Sequence, residues 1–201
     1  KEGVLDNTLI VLTSDNGPVL NDGYYDDAVE KNGIHLPSGS LRGGKYSLFD
    51  GGTRVPFITY WKGKIAPTVS DALVCQVDLL SSIASLVNYK SNEKDSQDIL
   101  KTFLGTSKSG RKELVIEAST RTAFRKGYWM MIPPYKGPEI NTEVNIELGN
   151  SDEYLLYNLK EDKGQRINLA EKIPKKLKKM ILAFEKIRGT DYRNIESLEL
   201  K

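Results

Sequence analysis

Two short stretches of this chain carry residue types suited to chemistry. In Ser14-Asp15-Asn16-Gly17-Pro18, a carboxylate and an amide oxygen stand side by side. These are hard donors of the kind Ca²⁺ and Mg²⁺ take, but Ca²⁺ needs about six to eight oxygens, so further ligands must come from elsewhere. The same dipeptide also suits a plain Asx turn entering Gly-Pro. The second stretch is Leu41-Arg42-Gly43-Gly44-Lys45, followed by Asp50-Gly51-Gly52-Thr53-Arg54. Paired glycines allow close backbone approach. Arg42, Lys45 and Arg54 are cations that either meet an anionic group such as sulfate or phosphate, or decorate a solvated loop. Gly39, Gly44 and Lys45 nearly spell a nucleotide phosphate loop. Tyr46 stands where Ser or Thr must hold Mg²⁺, however, and no strand leads into the segment, which excludes that site. His35, the only histidine, lies between the two stretches, where it either contacts substrate or is merely structural. Asp22, Tyr24, Tyr25, Asp26 and Asp27 share that loop. Cys75 reads as a packing residue, and no Ser or Cys sits in a nucleophile motif.

The elements around these residues follow from patterning. Asn7 to Thr13 is a short β-branched apolar run, the signature of a strand buried on both faces of a parallel sheet. Asp15 and Asn16 would then sit beyond its carboxyl end, where open α/β sheets place ligands. Residues 19–50 are irregular and Gly-rich, a long loop of the functional kind. Thr53 to Trp61 reads as a second strand. Asp71 to Val87 carries an apolar stripe at three- and four-residue steps and predicts a helix capped by Ser70 or Asp71. Asp98 to Leu104 predicts a short helix ended by Gly105. Glu113 to Ala118, Ala123 to Ile132 and Tyr154 to Leu159 predict a small antiparallel sheet. Ile173 to Ile187 predicts an amphipathic helix stopped by Gly189. Its Lys175, Lys176, Lys178 and Lys179 fall mainly opposite the apolar side and mark a solvated face. The tail to Lys201 is charged. The fold class is therefore α/β, with residues 1–105 as the last part of a mostly parallel central sheet. Residues 106–201 form a small antiparallel sheet with a carboxy-terminal helix.

Composition narrows the function classes. The 201 residues hold 29 Lys+Arg against 27 Asp+Glu, a formal charge of +2 that excludes a strongly basic nucleic-acid binder. No apolar run is long enough to span a bilayer. One cysteine permits no internal disulfide. The chain begins Lys-Glu-Gly-Val-Leu, without an initiator Met or a signal-peptide pattern, as a processed or excised piece of a longer protein would.

Taken together, the segments Leu9–Gly17, Leu41–Lys45, Gly51–Phe57, Asp71–Leu80, Arg125–Trp129 and Leu156–Asp162 with Asn168–Ala170 resemble, in family order, the carboxy-terminal part of a type I, formylglycine-dependent sulfatase. The loop from Asp22 through His35 to Lys45 is similar to that of Bacteroidetes glycan sulfatases. The resemblance implies the alkaline phosphatase superfamily fold. It also implies Asp15 and Asn16 as two ligands of a catalytic Ca²⁺, Lys45 on a sulfate oxygen and the leaving group, and substrate contact by His35 and Arg42. In that family a formylglycine hydrate attacks sulfur while the metal activates it. The nucleophile motif, Cys or Ser followed by x-Pro-x-Arg, is absent from the chain, and Asp50 stands where many relatives carry Glu. The resemblance thus implies a missing amino-terminal half as partner, a chain inactive by itself, a sulfated small molecule or glycan as substrate, and a periplasmic or secreted parent. Two other readings stay open: a phosphoester hydrolase of the same superfamily, and a non-catalytic glycan-binding module.

Overall fold

A computed structural model describes residues 2–189, so the charged tail lies outside the described residues. In chain order the elements are β1 (Ile10–Thr13), α1 (Ala28–Asn32), α2 (Asp50–Thr53), β2 (Phe57–Tyr60), α3 (Asp78–Leu86), α4 (Leu100–Phe103), β3 (Glu113–Ala118), β4 (Arg121–Lys126), β5 (Trp129–Ile132), β6 (Ile140–Asn141), β7 (Ile146–Glu147), β8 (Leu155–Asn158) and α5 (Pro174–Arg188). They form two compact units. One joins the chain up to Ser14 with Pro56–Glu113, and the other joins Asp15–Val55 with the chain from Leu114 on. The division differs from the consecutive segments expected to meet near residue 105. Its physical reason is packing: Leu48 and Phe49 are buried in one cluster with Ala123, Met130, Ile132, Tyr157 and Leu159, which ties residues 15–55 to the later sheet.

That sheet has the order β3-β4-β5-β8, with β4, β5 and β8 antiparallel in register Phe124↔Met131 and Met131↔Leu156. Period-two alternation sends its side chains to opposite faces. Ala123, Met130, Ile132 and Tyr157 face the Leu48–Phe49 segment. Phe124, Met131 and Leu156 face Met180 and Phe184 of α5. The rings of Phe49 and Tyr157 meet edge-on at 6.1 Å, and those of Phe124 and Phe184 lie 5.8 Å apart. Full burial of such a ring contributes about 2–3 kcal/mol. Helix α5 starts on Pro174, whose missing N–H costs nothing at a first turn, and stops at Gly189, where φ is +76°. Its bounds match the apolar periodicity closely.

The other unit departs further from sequence patterning. β1 pairs with β2 antiparallel, Ile10↔Tyr60 through Thr13↔Phe57. Ile10, Leu12, Ile58 and Tyr60 form an exposed apolar face, so the strand read as buried on both sides is uncovered on one within this chain. The helix expected from Asp71 begins only at Asp78. The intervening residues are irregular and end in a turn at Gln76 and Val77, and a long-range bond that periodicity does not show holds them. Arg111 N donates to Leu73 O at 2.7 Å, and a Cβ on Gly110 would lie 2.2 Å from that oxygen. The Asp78 carboxylate is fully buried, accepts the N–H groups of Cys75 and Gln97, and is gripped on both oxygens by Arg111. Cys75 therefore precedes the helix and is half-buried. Among the described residues no helix is long and apolar enough to cross a membrane.

Candidate functional site

Asp15, Asn16, His35, Arg42 and Lys45 all lie in the unit that contains Asp15–Val55. Asp15 Oδ1 accepts the N–H of Asn16 at 3.0 Å, and Asn16 Nδ2 donates to Gly17 O at 2.9 Å, so the pair is folded into a tight turn. The turn is stitched to the glycine segments through the backbone. Gly17 N donates to Gly52 O (2.8 Å), Lys45 N to Pro18 O (2.9 Å), and Gly51 N to Arg42 O (2.8 Å). The glycines are required by this approach. A Cβ on Gly17 would fall 1.8 Å from Gly51 O, and one on Gly44 would fall 2.6 Å from Pro18 O. The paired glycines thus let three backbone segments touch, and that contact sets Lys45 beside the turn bearing Asp15 and Asn16.

Lys45 is half-buried, with Nζ 5.5 Å from the centre of the Tyr46 ring, and it forms no ion pair among the described residues. Tyr46 has φ of +74°, a left-handed backbone costly for a bulky residue, and such strain clusters at functional sites. Arg121 holds the kink: Nη2 donates to Tyr46 O at 2.7 Å while Nη1 donates to Asn150 Oδ1 and Leu148 O. Nothing in the local sequence marked Arg121, because its partners are 29 and 75 positions away.

Arg42 is engaged elsewhere. Nε and Nη2 make a bidentate pair with Glu147 (2.9 Å each), Nη1 donates to Gln165 O, and the guanidinium lies 4.0 Å from the Phe49 ring centre. It clamps the start of the Gly43-Gly44-Lys45 segment to β7. Asp50 is buried between Arg54 (3.6 Å) and Arg125 (3.9 Å), and its backbone N–H donates to Gln165 Oε1. Burial pushes its carboxyl up despite the two cations. His35 lies on the exposed loop; its backbone N–H donates to Asn32 O.

The Arg42 hydrogen bonds hold the Glu147 carboxyl below the ordinary carboxylate range, against the opposing effect of burial. A depressed folded-state value contributes stability above the unfolded value of about 4.3 and loses it as pH falls through the folded one. Asp50 has the opposite sign. Glu147→Gln is therefore expected to lower stability at neutral pH and to remove the acid-side loss. The check is urea unfolding of both proteins from neutral pH down to about 2, with their difference shrinking below about pH 4.

Asp15 and Asn16 fit a hard cation as part of a ligand set. The carboxylate is exposed and its Oδ2 is unpaired. Among the described residues no cluster of three or more His, Cys, Asp or Glu could complete the shell.

A family model described as Sulfatase matches residues 1–89. The chain is 38% identical over 187 residues to an N-acetylgalactosamine-6-O-sulfatase of Bacteroides thetaiotaomicron, covering 91% of this chain and 37% of that protein. The chain belongs to the sulfatase family. Human arylsulfatase A is 30% identical over 182 residues, 83% of this chain and 34% of its own length. A solved sulfatase structure from work on glycosaminoglycan metabolism by B. thetaiotaomicron superposes with a TM-score of 0.86 at 38% identity, over 92% of this chain and 39% of that one. The fold is that of the sulfatases, alkaline-phosphatase-like α/β. This sulfatase chain spans about a third of the length of the curated relatives it matches.

Proposed function

We propose that this chain is the carboxy-terminal portion of a sulfatase that hydrolyses a sulfate ester on a glycan, with 6-O-sulfated N-acetylgalactosamine as the first substrate to try. The observation that carries the reading is Lys45, a cation without an ion pair among the described residues, whose backbone is bonded beside the Asp15–Asn16 turn. Sulfate ester cleavage concentrates negative charge on the non-bridging and leaving oxygens, and a preorganised cation stabilises that charge. Lys45 would donate to a sulfate oxygen and to the departing oxygen. Asp15 and Asn16 would supply two oxygen ligands to Ca²⁺, which when bound neutralises charge on the sulfate. His35 would contact the sugar from the loop. Arg42 would serve substrate binding at one remove, by holding the segment that presents Lys45.

The remaining metal ligands and the formylglycine would come from the amino-terminal half of the same protein, and the exposed β1–β2 face is surface for that half to cover. The chain by itself is then inactive, and the parent works in the periplasm or outside the cell. The ligand assignment is tested by Ca²⁺ titration against a chelator in the longer polypeptide. Asp15→Ala should weaken Ca²⁺ at least about tenfold at unchanged melting temperature without metal. Unchanged affinity would remove Asp15 from the ligand set.

A further inference from the structure

Helix α5 carries six cations and one acid, a net +5 in a chain whose total is +2, so the rest of the sequence is net negative. Lys175, Lys178, Lys179 and Lys186 stand at helical spacings that put them on one face, opposite buried Met180 and Phe184. They run about 16 Å along the axis. All four are exposed, and none pairs with an acid among the described residues. A solvated helix face ordinarily interleaves both signs; this one gathers a single sign and leaves it uncompensated.

We propose that this face is a docking surface for a linear polyanion, the sulfated polysaccharide that bears the ester, held away from the residues that act on it. The identity of the polyanion rests on the sulfatase reading; the surface does not. Charge complementarity argues for the occupant, since a polysulfated chain offers repeated anions to a row of unpaired ammonium groups. A bilayer is disfavoured because the apolar side of α5 is already spent on the core with Phe124 and Met131, leaving nothing to insert. A single-stranded nucleic acid is disfavoured because the face has no aromatic ring for bases to stack on; its central exposed apolar residue is Leu182.

The test is binding of fluorescein-labelled chondroitin 6-sulfate polymer to the 201-residue chain across a salt series. Four displaced counterions give a log–log slope of about −3, by analogy with nucleic-acid polyanions. The quadruple variant Lys175→Gln, Lys178→Gln, Lys179→Gln, Lys186→Gln should weaken binding by about tenfold or more and flatten the slope, and the four Lys→Arg changes should restore both. Unchanged affinity or slope in the glutamine variant would overturn the surface. Equal or tighter binding of single-stranded DNA, or of phosphatidylserine vesicles, would overturn its assignment to a glycan. The two readings fail separately: polymer binding that depends on the α5 lysines in a longer polypeptide that turns over no sulfate ester would sink the sulfatase reading and not the surface.

Discussion

Lys45→Ala, made in the polypeptide that contains this chain and the rest of the sulfatase fold, is expected to lower kcat/KM for a sulfate ester by about 10²–10³-fold, the loss typical when one preorganised charge-stabilising donor is removed. The size of the effect follows from the setting. The ammonium makes no ion pair among the described residues, it is half-buried, and its backbone is fixed by the Lys45 N to Pro18 O bond. A fixed cation needs no reorganisation when charge develops, so its whole interaction counts toward the barrier. Lys45→Arg should recover only part of the loss, because a planar fork replaces a compact point charge. Because Lys45 is not part of a buried cluster, melting temperature should barely move. A loss below tenfold would show that the sulfate is held elsewhere.

The second large effect is structural. Arg111→Ala is expected to destabilise the chain by about 3–5 kcal/mol, because it strips the counter-ion from a carboxylate with no access to water. Asp78 is fully buried and Arg111 only 9% exposed. Their bidentate contact fixes the start of α3 and, through the Cys75 N–H, the turn before it. The double variant Arg111→Met with Asp78→Asn should recover part of the loss, since it removes both charges from the interior while the amide oxygen still accepts from a backbone N–H. Urea unfolding measures all three proteins. A single variant within about 1 kcal/mol of the parent would mean that water reaches Asp78.

The contrast between α3 and α5 shows what the sequence could and could not reveal. Both carry apolar residues at helical spacing. In α5 those residues bury against one sheet, and the helix runs nearly as its periodicity implies. Residues 71–77 carry the same pattern, but Leu73 O accepts from Arg111 N and the Gly110 backbone packs against Leu73, a partnership no local window contains. The Asp15–Asn16 turn and Lys45 were legible because turn residues and paired glycines punctuate them locally. Arg42 was visible as a cation but not as half of a pair, since Glu147 lies 105 positions away. Arg121, Glu147 and Gln165 left no local signal for the same reason. The two-unit division was also hidden, because it depends on Leu48 and Phe49 joining a sheet whose first strand starts only at Glu113.

The most direct measurement compares kcat/KM for 6-O-sulfated N-acetylgalactosamine with that for its 6-O-phosphate, in the polypeptide carrying this chain with the rest of its fold. A sulfatase built around Lys45 and the Asp15–Asn16 turn should prefer the sulfate ester by more than about tenfold. Equal turnover, or preference for the phosphate, would contradict the account and move this site to phosphoester chemistry.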